Sequence, residues 1–130
     1  MGHAWSSDDG RTWTRARSTG YKGVAPRVRR LSNGVLACTY GRPGPVSIMF
    51  SLEGTGMKWS NVTKIFGGQD TYKRGREMRK STRYADFVEL QPGKLLIAYD
   101  SVPYGWDAIP DSDRSSRNAI LGTFLDVRRN

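Results

Sequence analysis

The stretch that decides the fold runs Ser6-Ser7-Asp8-Asp9-Gly10-Arg11-Thr12-Trp13. Asp9-Gly10 is a strong two-residue turn dipeptide, because Gly10 tolerates positive φ without a Cβ clash. The carboxylate of Asp8 is placed to accept hydrogen bonds from the amides that follow it. Trp13 then supplies a large apolar side chain, which we expect to begin the next strand. The stretch therefore predicts a hairpin turn with an aromatic anchor.

The composition of the whole chain favours strands. Fifteen Gly and six Pro are spread among 130 residues, between short apolar runs. Many short strands joined by tight turns produce this distribution and long helices do not, so we predict an all-β chain. The single cysteine, Cys38, lies inside an apolar run and is predicted to be buried.

The net charge of the chain indicates that its partners are anionic but does not identify which anion it binds. A formal net charge of +9 predicts a surface that attracts phosphates, acidic membranes or acidic sugars. No stretch approaches the roughly 20 apolar residues that a membrane span needs, and no leader resembles a signal peptide. We therefore expect no membrane span, and the sequence leaves the compartment open.

A repeated order of strands and turns runs through the chain. Strands are predicted at Val24 to Leu31, Val35 to Tyr40, Val46 to Ser51 and Asn118 to Arg128, with a turn at Asn33-Gly34. The stretch from Leu31 to Tyr40 aligns with that from Leu90 to Tyr99 at an offset of fifty-nine residues, with Leu, Gly, Leu and Tyr coincident. We expect the strands Val35 to Tyr40 and Leu95 to Tyr99 to take equivalent, largely buried positions in successive sheets.

The opening motif has a second, degenerate copy. Its residues are Ser51, Glu53, Gly56 and Trp59, with one extra residue and with Glu53 where the first copy has Asp8. The basic stretch from Gly67 to Arg83, which separates the two repeats, has no apolar periodicity and is predicted to be a loop.

The pattern S-x-D-x-G-x-T-W, filled by Ser6, Asp8, Gly10, Thr12 and Trp13, resembles the Asp-box, or BNR repeat, of sialidases and related β-propellers. The resemblance implies antiparallel four-stranded blades, from a six-bladed sialidase-type propeller in the parent protein. This chain would hold a blade end at 1–20, a blade at 24–65, and a blade with a closing strand at 84–130. In that family the box lies away from the active site and its aromatic packs into the blade, so the motif is structural.

The resemblance also implies a site. In the family, arginines at inner strand ends grip a substrate carboxylate, a Tyr attacks the anomeric carbon, and a Glu activates that Tyr. Tyr84 matches the nucleophile in its place, Arg42 matches a strand-end arginine, and Arg83 is a weaker match. The position of the Glu falls on Ala25, which cannot act as a base. Asp86 shares a strand face with Tyr84 and is a weak substitute.

Three functions remain open from the sequence. The first is a sialidase-like glycoside hydrolase domain of the exo-α-sialidase type, or a C-terminal fragment of one, acting on or binding anionic glycosides. The second is a non-catalytic BNR-repeat module that binds acidic carbohydrate or a protein partner, with possible self-association through open propeller edges. Nucleic-acid binding by the basic loop from Lys73 to Arg83, with Tyr72 and Tyr84 as stacking surfaces, is disfavoured because the basic residues are spread along the chain. No residue spacing indicates a metal or a cofactor.

Overall fold

The computed structural model describes residues 1–42, 44–67, 83–102 and 118–128, and in these ranges the chain forms only strands, turns and loops. The all-β prediction is therefore confirmed for the described residues. Three antiparallel sheets are present, with two, four and three strands. Their strands are β1 (Gly2–His3), β2 (Arg17–Ser18), β3 (Val24–Arg30), β4 (Leu36–Gly41), β5 (Val46–Ser51), β6 (Ser60–Phe66), β7 (Ala85–Gln91), β8 (Lys94–Ser101) and β9 (Ala119–Asp126).

The four-stranded sheet follows chain order, β3-β4-β5-β6. The predicted Asn33-Gly34 turn joins β3 to β4, and Gly34 donates its N–H to the Leu31 carbonyl at 2.9 Å. Gly34 has a φ of 86°, which a residue with a Cβ adopts only under strain. The turn therefore ends β3 and sets the register of β4.

The three-stranded sheet, β7-β8-β9, repeats the register of the first hairpin. Val28 pairs with Cys38 in the β3-β4 ladder, and fifty-nine residues later Phe87 pairs with Ile97 in the β7-β8 ladder. The predicted repeat alignment is thus confirmed as an equivalence of position within the sheets.

One hydrophobic core fills the space between these two sheets. The four-stranded sheet contributes Ala37, Val46, Ile48 and Phe50, and the three-stranded sheet contributes Phe87, Leu95, Ile97 and Tyr99. Because side chains alternate along a strand, each sheet packs one of its two faces against this core. The expected burial is confirmed for Ala37 to Tyr40 in β4. Between Leu95 and Tyr99 in β8 it holds for Leu95, Ile97 and Tyr99, whereas Leu96 and Ala98 on the other face are not buried.

The N-terminal segment, residues 1–23, covers the other face of the four-stranded sheet. Cys38, Tyr40 and Met49 lie on this face, with Met1, Tyr21 and Trp59 packed against them. The Trp5 indole N–H donates to the Thr55 carbonyl at 2.9 Å, which joins the segment to the turn after β5. β4 is buried on both faces as a result.

The opening motif forms the predicted turn but no strand follows it directly. Asp9 and Gly10 both have positive φ, 55° and 84°, and the Asp8 carboxylate accepts the Thr12 N–H at 2.8 Å. Trp13, expected to pack inward and begin a strand, is 64% exposed, and its indole N–H donates to the Gly10 carbonyl. That expectation is wrong because the aromatic ring closes over its own turn, and the only strand of the next ten residues is β2.

The second copy of the motif makes a matching set of hydrogen bonds. Ser6 Oγ accepts the Gly10 N–H at 2.8 Å, and Ser51 Oγ accepts the Gly56 N–H at 3.0 Å. Each serine hydroxyl also donates to the nearby acid, Asp8 in the first turn and Glu53 in the second. The extra residue of the second turn is therefore accommodated without loss of its serine-centred bonds.

Candidate functional site

Arg42 and Tyr84, which are far apart in sequence, meet at one end of the two larger sheets. Arg42 follows β4, Tyr84 precedes β7, and Arg42 Nη2 donates to Tyr84 Oη at 3.5 Å. The guanidinium carbon of Arg42 lies 5.6 Å from the centre of the Tyr84 ring, within cation-π range. The turns that hold Asp8 and Glu53 lie at the opposite end, beyond β5, where the family resemblance led us to expect them.

Close backbone packing brings these two strand ends together. A Cβ placed on Gly41 would lie 2.0 Å from the Arg83 carbonyl oxygen, closer than any side chain can approach. Thr39 Oγ1 also donates to the Ala85 carbonyl at 3.3 Å, so β4 and β7 are joined in the buried layer. Glycine at position 41 is therefore what allows the Arg42 loop to rest against the start of β7.

Asp100 fixes Tyr84 from the other side, and sequence reasoning missed it. Its buried carboxylate accepts the Tyr84 N–H at 2.6 Å, and its own N–H donates to the Tyr84 carbonyl at 3.2 Å. Burial raises the pKa of Asp100, while the Tyr84 amide and the positive charges of Arg42 and Arg83 act in the opposite direction. The one signal in the sequence was the repeat, in which Asp100 aligns with Gly41, the residue before Arg42.

Arg83 is placed to hold the loop that carries Arg42. Its Nη1 donates to the Gly44 carbonyl at 2.9 Å. Burial lowers the pKa of the Arg83 guanidinium, and the charge of Asp100 opposes that change. Arg83, predicted to bind substrate, thus contacts the backbone of the neighbouring loop and positions Arg42.

An open groove of about 360 Å³ begins at Tyr84. Its lining comes from β3, β7, β8 and β9 and comprises Ala25, Arg27, Tyr84, Ala85, Asp86, Ala98, Tyr99, Asp100 and Ile120. Arg27 adds a second cation to the site. Ala25, the position at which the family's Glu was expected, does lie in this groove but offers only a methyl group.

Asp86 lines the same groove, but its carboxylate is held by other groups. Both oxygens lie 3.1 Å from Arg29 Nη2, and Oδ1 accepts the Phe87 N–H at 2.8 Å. The pair with Arg29 is half exposed, so it contributes little to stability but lowers the negative potential at Asp86. Asp86 is therefore poorly placed to take a proton from Tyr84.

Backbone strain is concentrated around this site. Five non-glycine residues of the described chain have positive φ, and three of them, Ala25, Arg42 and Arg83, lie at the strand ends that form the site. Each such residue costs on the order of 1–3 kcal/mol, and strain of this kind persists where surrounding structure holds a functional geometry.

Some of the sequence predictions fall outside the described residues. The basic loop between β6 and β7 is described only at Gly67 and Arg83, so its expected role and that of Tyr72 stay predictions. Within the described ranges, no group of three or more His, Cys, Asp or Glu side chains could hold a metal ion. The same ranges contain no helix with the length and apolar character needed to cross a membrane.

Neither a protein-family model nor a curated protein matches the sequence, and no solved structure matches the fold. The resemblance to sialidase-like proteins therefore rests on the motif residues themselves.

Proposed function

We propose that the chain binds an anionic carbohydrate, of the sialic acid class, through the strand-end site at Arg42 and Tyr84. One observation carries this proposal: the Arg42 guanidinium lies against the Tyr84 ring and hydroxyl beside a groove that also contains Arg27. A cation with fixed orientation, a phenol and an open groove together suit a sugar that carries a carboxylate.

The geometry of Arg42 leaves donors for such a ligand. A guanidinium has five N–H donors in a planar fork that matches the two oxygens of a carboxylate. Within the described residues, the Arg42 side chain donates one hydrogen bond, to Tyr84 Oη. The Tyr84 ring restricts the orientations that the Arg42 guanidinium can adopt. This restriction reduces the conformational entropy that is lost when a carboxylate binds.

A sialidase-like propeller architecture is the setting that we propose for this site. Three features support it: two antiparallel sheets of equivalent register, packing through a shared apolar core, and serine-centred turns at the end opposite Arg42. In this proposal the four-stranded sheet is one blade, the three-stranded sheet is part of the next, and residues 1–23 belong to the blade before.

Binding is favoured over hydrolysis by the surroundings of Tyr84. A tyrosine nucleophile needs a neighbouring base that takes its proton, within hydrogen-bond reach. Asp86 is engaged by Arg29 and the Phe87 amide, Ala25 has no ionisable group, and the Asp100 carboxylate contacts the Tyr84 amide. Hydrolysis is the second candidate function, favoured by the place of Tyr84 at the groove.

Ligand titration tests the binding proposal. Calorimetry or NMR titration of residues 1–130 with a methyl sialoside should show binding, whereas the methyl ester of the same sugar, which lacks the negative charge, should bind at least tenfold more weakly. Arg42→Gln should weaken binding at least tenfold, because it removes the fork that faces the carboxylate. Arg15→Gln, an exposed arginine in the N-terminal segment, makes the same change in net charge and should alter affinity less than twofold. Equal binding of acid and ester would overturn the proposal.

Turnover is tested separately with a fluorogenic sialoside. We expect no release of the fluorophore above the rate in buffer, because none of the acidic residues that the structure describes is hydrogen-bonded to the Tyr84 hydroxyl. Release that disappears in Tyr84→Phe would replace binding by hydrolysis as the function of the site.

A further inference from the structure

A second groove lies on the face of the four-stranded sheet that residues 1–23 cover. Its volume is about 400 Å³, within the roughly 300–1,000 Å³ of small-molecule pockets. It is found where β4 ends, β5 begins and β6 ends, which is the end of the sheet that also carries Arg42. We call it the lysine groove, and the residues that define it are Tyr21, Lys22, Pro45, Ser47, Val62 and Lys64.

The floor of the lysine groove is a row of paired residues across three strands. Tyr40 pairs with Ser47 in the β4-β5 ladder, and Ser47 pairs with Lys64 in the β5-β6 ladder. Because residues directly opposite each other project from the same face of a sheet, the row places Lys64 on the face that holds the Tyr40 ring. Ser47 Oγ donates to the Pro45 carbonyl at 3.2 Å, which fixes the loop at one edge of the groove.

The N-terminal segment forms the opposite wall. The rings of Tyr21 and Tyr40 have centroids 6.4 Å apart and planes inclined at 35°. The Tyr21 N–H donates to Thr19 Oγ1 at 3.2 Å, and its hydroxyl donates to the Trp59 carbonyl at 3.5 Å. Lys22 follows directly, so these contacts of Tyr21 also set where the Lys22 backbone lies.

The lysine groove is positively charged. Lys22 and Lys64 line it, and none of the described residues in its lining is acidic, whereas the groove at Tyr84 contains Asp86 and Asp100. Neither lysine forms an ion pair with any residue that the structure describes. An anion can therefore bind here without displacing an acidic side chain. An apolar surface for a sugar ring is supplied by Tyr21, Pro45 and Val62.

One loop adjoins both the lysine groove and the Arg42 site. Gly44 lines the groove, and its carbonyl accepts the Arg83 Nη1–H at 2.9 Å on the side of Tyr84. Arg42 and Pro45 are three residues apart, so their Cα atoms are separated by at most about 11 Å. A short oligosaccharide can therefore reach from one side of this loop to the other.

We propose that the lysine groove binds the second acidic residue of an oligosaccharide whose first acidic residue occupies the Arg42 site. This inference rests on the proposed function and narrows its ligand class to glycans in which two acidic sugars are linked. Once the first sugar is bound, the second is held beside the lysine groove at a high effective concentration. A weak contact with Lys22 and Lys64 is then enough to raise the affinity.

Calorimetry with three glycosides tests the proposal. The ligands are a methyl monosialoside, a sialyl-galactoside, whose second residue is neutral, and a disialoside, whose second residue carries a carboxylate. The disialoside should bind at least tenfold more tightly than the sialyl-galactoside. Equal affinities for these two would overturn the lysine groove and leave the proposed function intact, whereas no binding of any of the three would overturn both.

Substitutions separate the lysine groove from a general effect of charge. Lys22→Gln and Lys64→Gln should each weaken binding of the disialoside several-fold and change that of the monosialoside less than twofold. Lys58→Gln, at an exposed lysine that precedes β6 at the opposite end, makes the same change in net charge and should alter either affinity less than twofold. An advantage of the disialoside that survives when both Lys22 and Lys64 are replaced would refute the groove as its source.

Amide NMR of the wild-type chain gives a test that needs no variant. The amide signals of Tyr21 and Val62 should shift with the disialoside and stay constant with the monosialoside, while the Gly10 amide at the opposite end should shift with neither. Unchanged Tyr21 and Val62 signals at saturating disialoside would place its second residue elsewhere and refute the proposal.

Discussion

The four-stranded and three-stranded sheets share a hairpin register but differ in how deeply their equivalent residues are buried. Ala37 and Leu96 occupy the same ladder position, yet Ala37 is fully buried in the core and Leu96 is partly exposed on the face of the three-stranded sheet that points away from the core. Register is set within a sheet by its turns and pairing, whereas burial is set by what packs on the sheet. Equivalent residues can therefore have different energetic roles, and this difference can be measured.

The largest effect is expected from truncating two phenylalanines at equivalent ladder positions, Phe50, which pairs with Ala37, and Phe124, which pairs with Leu96. Phe50→Ala should lower the free energy of unfolding by about 3–5 kcal/mol, since it opens a cavity between the sheets. Phe124→Ala, at the exposed equivalent position, should lower it by about 0.5 kcal/mol or less. Urea denaturation of dilute protein measures both, and equal losses would show that the two faces do not differ in solution.

A smaller effect is expected where the two sheets meet at the site. Gly41→Ala should lower the free energy of unfolding by about 1–3 kcal/mol, because its Cβ would collide with the Arg83 carbonyl. It should also weaken sialoside binding, since Arg42 moves with the loop. Gly44→Ala is the matched control, because a Cβ there meets no atom within 4 Å. Equal effects of the two substitutions would contradict close packing at Gly41.

The smallest effect is expected in the first serine-centred turn, as a dependence on pH. Hydrogen bonds from the Thr12 hydroxyl, the Thr12 amide and the Ser6 hydroxyl lower the pKa of Asp8 to about 2 from 3.8. A carboxyl group whose pKa is depressed by folding stabilises the folded turn above its unfolded pKa and loses this effect as pH falls through the folded one. The turn should thus weaken between about pH 4 and pH 2.

NMR titration of the Thr12 amide measures this change, with an expected midpoint near the pKa of about 2 for Asp8. Asp8→Asn should abolish the midpoint while it leaves the Gly56 amide of the second turn unchanged. A midpoint near 3.8, the ordinary pKa of Asp8, would mean that the hydrogen bonds of the first turn do not persist in solution.

Local pattern was enough to predict β3, β4, β5, β8 and β9, the Asn33-Gly34 turn and the repeat, because turn chemistry and alternation act within a few residues. Arg42 and Tyr84 were assigned to one site by the family resemblance, and the structure does bring their side chains together. The exposure of Trp13 and the role of Asp100 were missed. The Trp13 indole bonds to Gly10 of its own turn, which the apolar character of tryptophan does not reveal. Asp100 accepts the Tyr84 amide sixteen residues earlier in the sequence, and a contact at that distance is not visible in a local pattern.

The covering of β4 by residues 1–23 also makes Cys38 useful as a reporter. Its thiol is 1% exposed, and burial raises its pKa to about 11, so thiol reagents in neutral buffer react with it only when the covering layer opens. Because the chain has one cysteine, the labelling rate of the unmodified protein reads the opening of this layer alone. A comparison of that rate with the rate of global unfolding would tell whether residues 1–23 detach as an independent unit or only when the whole molecule unfolds.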